Sequence, residues 1–90
     1  QIIFLECNSR IVGTAVTVRN LIDGFFINKE FRGRGFGKKL MEHTFEHMQK
    51  KGYKNVVVGV QSKNVSAKNF YKKCGFNDKE IRMELNLREA

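Results

Sequence analysis

Proline and tryptophan are both missing from this sequence of 90 residues, and cysteine occurs only twice. With no proline and no Gly/Ser-rich or single-charge block, nothing reads as a linker, so residues 1–90 are taken as a single domain. Cys7 and Cys74 lie far apart and outside any C-x-x-C spacing, which favours reduced thiols over a bridge or a zinc site. His43 and His47 stand four apart, but Thr44 follows the first, so the H-E-x-x-H pattern is not met and exposed, unliganded histidines are expected, with no metal. No apolar run reaches the length of a bilayer span. The opening Gln1-Ile2-Ile3-Phe4-Leu5-Glu6 lacks the basic start of a signal peptide, so a cytoplasmic protein is expected. The first residue is not methionine, which reads as a processed or excised piece. Acidic residues are also scarce: 9 against 17 Lys and Arg, a net charge of +8, which points to an anionic partner. The 8 Phe and the Val and Ile runs exclude a disordered basic tail.

Ile2–Glu6 and Ile11–Val18 are rich in β-branched and aromatic residues around Asn8-Ser9-Arg10, which predicts an antiparallel hairpin. Asn20–Asp23 reads as a connector to a third strand over Gly24–Asn28. Leu40, Met41, Thr44, Phe45 and Met48 follow the spacing of an amphipathic helix from Gly37 to Lys51, stopped by Gly52. Val56-Val57-Val58-Gly59-Val60 reads as a strand covered on both faces, and strand–helix–strand order predicts a right-handed crossover to a parallel pair. A second helix carries Ala67, Phe70, Tyr71 and Cys74 on one stripe and ends at Gly75. Met83, Leu85 and Leu87 mark a last, half-buried strand. The fold class is a mixed α/β sheet in the order β-β-β-α-β-α-β.

Arg32-Gly33-Arg34-Gly35-Phe36-Gly37-Lys38-Lys39 falls where the third strand gives way to the first helix. A helix start leaves backbone N–H groups unpaired, glycines let an anion approach them, and the dipole and four cations favour its charge. A pyrophosphate cradle follows. It is not a P-loop, since Lys39 stands where Ser or Thr is needed, nor the dinucleotide fingerprint, since the glycines run G-x-G-x-G. An Arg/Gly RNA-binding tract would repeat, and this segment occurs once. The plainer alternative is a glycine-rich turn with solvated charges.

These residues resemble the GCN5-related N-acetyltransferases, whose motif R/Q-x-x-G-x-G/A is matched by Arg32-Gly33-Arg34-Gly35-Phe36-Gly37. A second signature of that family is similar to Asn64, Ala67 and Tyr71-Lys72-Lys73-Cys74-Gly75-Phe76. The resemblance implies acetyl-coenzyme A as cofactor and a primary amine, on a small molecule or a protein, as acceptor. It implies a pantetheine arm along Phe25, Phe26 and Ile27, and a pyrophosphate on the amides from Arg32 to Lys39. Asn64 and Lys68 would contact the cofactor, and Tyr71 would protonate the departing thiolate.

The general base has no motif of its own. Where many relatives carry a glutamate this chain has Gly59, and Asp23, before the glycine-rich turn, is the nearest carboxylate candidate; Glu30 reads as a solvated turn residue. The first strand and helices that wall the acceptor pocket in relatives have no counterpart here. That implies a fragment, an open site, or a site completed by a homodimer. Two other readings stay open: a coenzyme A-binding module without catalysis, and a basic nucleic-acid-binding domain. The latter is disfavoured, because the aromatic residues fall largely on apolar stripes.

Overall fold

A computed structural model describes residues 1–60, 63–79 and 82–86. The elements are β1 (Ile2–Cys7), β2 (Arg10–Val18), β3 (Leu21–Ile27), a 3-10 turn (Lys29–Phe31), α1 (Phe36–Lys50), β4 (Asn55–Gly59), α2 (Val65–Lys73), β5 (Asn77–Lys79) and β6 (Arg82–Asn86). They form one mixed sheet in the order β1-β2-β3-β4-β6-β5, in which β3 and β4 are parallel and the other pairs antiparallel. The expected antiparallel start and parallel pair are both present.

Asn8 and Ser9, with φ of 52° and 64°, make the tight β1–β2 turn, whose twist matches that of the flanking strands. The third strand begins three residues earlier than its composition predicts. Val18 pairs with Leu21, so Arg19 (φ 55°) and Asn20 are a two-residue turn and Leu21–Asp23 is strand, not connector. Asp23 has no partner on β2: Val16 pairs with Gly24 and Thr17 with Ile22, a β-bulge that leaves Asp23 as the extra residue. The chain's end also differs from expectation. A short β5 precedes the last strand, and Met83 and Leu85 of β6 pair with Val58 and Val56; Leu87 lies outside the described residues.

Both helices pack on one face of the sheet. Gly13, Ala15 and Thr17 of β2 are buried and lie opposite Ile27, Phe25 and Ile22. Across them α1 packs Leu40, Met41, Thr44 and Met48, none more than 1% exposed. Burying each such large side chain is worth ~1.5–3 kcal/mol. Thr44 is tolerated there because its hydroxyl donates to the Leu40 carbonyl at 2.8 Å. β4 is covered fully on one face only: Val56 and Val58 are buried, while Val57 between them is half-buried. On the face away from the helices Ile2, Phe4, Val18 and Phe26 are each more than half exposed.

Candidate functional site

β3 and β4 stay paired only at Leu21–Ile22 against Val57–Val58. From Gly24 to Ile27, β3 pairs with no strand but β2 among the described residues, so apart from the Ile27 carbonyl, which accepts from Arg32 Nε, its other edge is open. A parallel pair that separates in this way leaves unpaired main-chain groups beside a cleft, able to take an extended ligand as an added strand.

The cleft is a cavity of about 540 Å³. Phe25, Phe26 and Ile27 form one wall, Ser66, Ala67, Phe70 and Tyr71 of α2 form the other, and the glycine turn closes the end. Its walls are built by aromatic packing: Phe25 lies 5.6 Å from Phe70 and 6.3 Å from Tyr71 between ring centroids. Tyr71 also meets Phe76 edge-on at 5.7 Å. Tyr71 therefore belongs to the core and to the cavity wall together, and is 8% exposed.

Gly33 and Gly35 adopt φ of 78° and 84°, conformations that side chains with a Cβ rarely hold. Gly35 is the N-cap of α1, which has no side-chain cap; Lys39 N donates to the Gly35 carbonyl, leaving the amides of Phe36, Gly37 and Lys38 without a partner among the described residues. The first turn of α1 has no acidic residue and instead carries Lys38 and Lys39. Cations at that end oppose the helix dipole, so the local sequence gives up helix stability in a way that an anion held on the amides would offset.

Around the turn, Asn28 donates through Nδ2 to the Ile11 carbonyl at 2.5 Å, and its own amide donates to the Val12 carbonyl at 2.8 Å. Glu30, expected as a free turn residue, pairs with Arg10, and the Arg10 guanidinium lies 5.2 Å from the centre of the Phe31 ring. Arg32 is turned back: its Nε donates to the Ile27 carbonyl at 2.9 Å and its guanidinium stacks 5.2 Å from the centre of the Phe26 ring. It braces the turn against the strand while still lining the cavity.

Of the residues singled out in the sequence, Phe25, Phe26, Ile27, Arg32, Gly33, Gly35, Gly37, Lys38 and Tyr71 come together around the cavity. Arg34, Phe36, Lys39, Asn64, Lys68 and Asp23 are not among its lining residues. Phe36 packs edge-on against Phe31, Asn64 caps α2 by accepting from Ala67 N at 3.1 Å, and Asp23 is exposed at the bulge. The sequence reading missed Phe31, Ser66, Ala67 and Phe70 as cavity residues. Ala67 and Phe70 carried a signal, since they share the apolar stripe of Tyr71.

Two ionisable groups here are displaced from their ordinary values. Burial, with Cys74 adding, pushes the Tyr71 phenol up. Burial also raises the Cys74 thiol, which Lys38 partly counters. Both stay protonated at neutral pH, the phenol as a potential donor and the thiol as inert filling.

A mixed sheet whose parallel strands part beside an uncapped, glycine-led helix start defines the class: an α/β protein with one cavity between β3 and α2. Residues 1–76 match the acetyltransferase (GNAT) family, and the chain belongs to that family. It is 38% identical over 60 residues to an uncharacterised N-acetyltransferase of Methanocaldococcus jannaschii, covering 67% of this chain and 26% of that protein. Its fold superposes on the ribosomal-protein-S18-alanine N-acetyltransferase of Escherichia coli with a TM-score of 0.85 at 20% identity, covering 97% of this chain and 68% of that one. It superposes on the PaiA N-acetyltransferase of Thermoplasma acidophilum, solved with coenzyme A, with a TM-score of 0.80 at 21% identity, covering 94% and 59%. The chain spans 26% of the length of one curated relative it matches and 52% of another.

Proposed function

We propose that this chain binds acetyl-coenzyme A in the cleft between β3 and α2 and takes part in acetyl transfer to a primary amine. The observation that carries the reading is that the amides of Gly37 and Lys38, unpartnered among the described residues, and an open β3 edge lie along one cavity. The residues fit the group: Gly33 and Gly35 leave the amides bare, and a Cβ on either would meet nothing within 4 Å, so the space before them is open. Bound there, acetyl-coenzyme A supplies an acetyl group activated as a thioester, which passes to the amine nitrogen as the carbon–sulfur bond breaks.

In this reading the α1 amides, Lys38 and the dipole hold the pyrophosphate, while the β3 edge over Phe25, Phe26 and Ile27, whose carbonyl at Ile27 is shared with Arg32 Nε, aligns the pantetheine arm. Phe25 and Phe70 exclude water from it. Tyr71 donates its phenolic proton to the sulfur. At their ordinary values a thiol near pKa 8.5 and a phenol near 10 are mismatched by about 2 kcal/mol; burial raises the Tyr71 phenol and widens that gap, while keeping the proton in place until the thiolate develops. Asp23, exposed on the same strand, accepts the proton that the amine must lose. Arg34, Lys39, Asn64 and Lys68 form a cationic and polar rim outside the cavity that speeds capture of a polyanion. A homodimer through the exposed Ile2, Phe4, Val18 and Phe26 face belongs to the same proposal, and sedimentation of the chain against a Phe4→Ser variant tests it.

Calorimetric titration with acetyl-coenzyme A, followed by thiol release with a panel of amines, tests the function. Binding with amine-dependent thiol release supports an enzyme, binding alone a cofactor-holding module, and no binding removes the proposal. Among the described residues no helix is long and apolar enough to cross a membrane.

A further inference from the structure

Arg32 stands where the chain leaves the 3-10 turn after β3, with extended backbone (φ −71°, ψ 150°) and its amide donating to the Lys29 carbonyl at 3.3 Å. The turn carries its side chain back along the strand it follows. Its Nε donates to the Ile27 carbonyl at 2.9 Å, and the guanidinium carbon lies 5.2 Å from the centre of the Phe26 ring. On the β2 side, Asn28 N donates to the Val12 carbonyl at 2.8 Å, so by the alternation of an antiparallel pair Ile27 turns its main-chain groups to the opposite, open edge. The Arg32 side chain therefore lies on the line that an added strand must follow.

Its charge is poorly matched there. No carboxylate is among the residues lining the cavity, and the guanidinium meets a neutral carbonyl and an aromatic face. A phosphate would offer it a charged, bidentate partner, which a carbonyl cannot be. Gly33, Gly35, Gly37 and Lys38, where the anion is placed, line the same cavity.

We propose that Arg32 is a positioning residue that occupies the Ile27 carbonyl in the free protein and gives it up to the ligand's extended arm once phosphate arrives at the turn. The inference rests on the cofactor reading above and adds an order to it: the anion binds first and draws the guanidinium away, and the arm then pairs with β3. A thioester that lacks the diphosphate meets an occupied edge. The cleft thereby selects the whole coenzyme over free acyl-thiols with the same arm.

Two pieces of the cofactor test this, pantetheine for the arm and ADP for the diphosphate, each titrated into the full chain by NMR with and without the other. In the parent chain saturating ADP should tighten pantetheine about tenfold, the worth of one hydrogen bond to a charged group, and pantetheine should tighten ADP by the same factor. Arg32→Met keeps an unbranched apolar stem over Phe26 and removes the donor. There pantetheine alone should bind about tenfold more tightly than to the parent, and ADP should no longer change it. The Arg32 Nε–H signal of the parent chain reads the same event without a variant: it should shift as ADP is added. An unmoved signal, no coupling in the parent, coupling that persists in Arg32→Met, or weaker pantetheine binding in that variant overturns the proposal. Coenzyme A that fails to bind removes the cofactor reading and this inference with it, whereas coenzyme A that binds while its pieces show no coupling removes the inference alone.

Discussion

A Cβ placed on Gly37 would lie 3.2 Å from one carbon of the Phe70 ring and 3.3 Å from another. The start of α1 and the middle of α2 therefore meet where one residue has no side chain, and this contact sets the width of the cleft at its anion end. For Gly37→Ala two effects oppose each other. Alanine gains up to ~1 kcal/mol in helix propensity, while Phe70 must give by a few tenths of an ångström. Thermal stability should change by less than ~1 kcal/mol, while affinity for acetyl-coenzyme A falls; calorimetry beside a melting curve reads both.

Gly13 is more demanding. Its Cβ would stand 2.5 Å from Ile27 Cδ1 and 2.8 Å from the Phe26 carbonyl oxygen, and the second of these is backbone. Gly13→Ala should cost ~1–3 kcal/mol, with Tm lowered by ~4–8 °C for each kcal/mol in a chain of this size. An unchanged Tm would show that β3 can move away from β2.

For Tyr71→Phe, the ring packing against Phe25, Phe70 and Phe76 is retained and only the proton is removed. Turnover should fall by ~100-fold or more with little change in KM for acetyl-coenzyme A. Full turnover in steady-state assays would remove Tyr71 as the donor.

The raised Tyr71 pKa also fixes a direction in pH. The phenol is neutral in folded and unfolded chains below about pH 10, so it has no effect on stability there. Above that the unfolded chain loses its proton first, and stability should fall as pH rises toward the higher folded value. Activity needing the protonated donor should fall over the same range. Denaturant melts and rate profiles of Tyr71→Phe, lacking this component, provide the comparison.

Gly59 is exposed at the end of β4, and a Cβ there would meet nothing within 4 Å. Gly59→Glu should therefore fold normally and supply the carboxylate that the resemblance leads one to expect at that position. The predicted outcome is a higher rate at neutral pH than in the parent chain, read as amine-dependent thiol release, with Asp23→Asn silent in that background.

Local pattern determined a large part of this protein. The α1 stripe of Leu40, Met41, Thr44 and Met48, the valine run of β4 and the stop at Gly52 were legible because helix and strand periodicity and left-handed glycines are properties of neighbouring residues. The glycine turn was legible for the same reason, since uncapped amides, bare glycines and Lys38 and Lys39 are consecutive in the chain.

Tertiary structure decided what depends on residues distant in sequence. The bulge at Asp23 exists only in the register of β3 against β2, and β5 only through its pairing with β6. Whether Val57 is covered depends on which face the helices occupy. Phe70 became a cavity wall because Gly37 let it approach, and His47 is half-buried beside a cavity that it lines with Arg19 and Tyr53. Main-chain geometry and short-range spacing can be read along one strand or helix, but burial and cavities are sums over contacts that the chain makes only after it has folded back on itself.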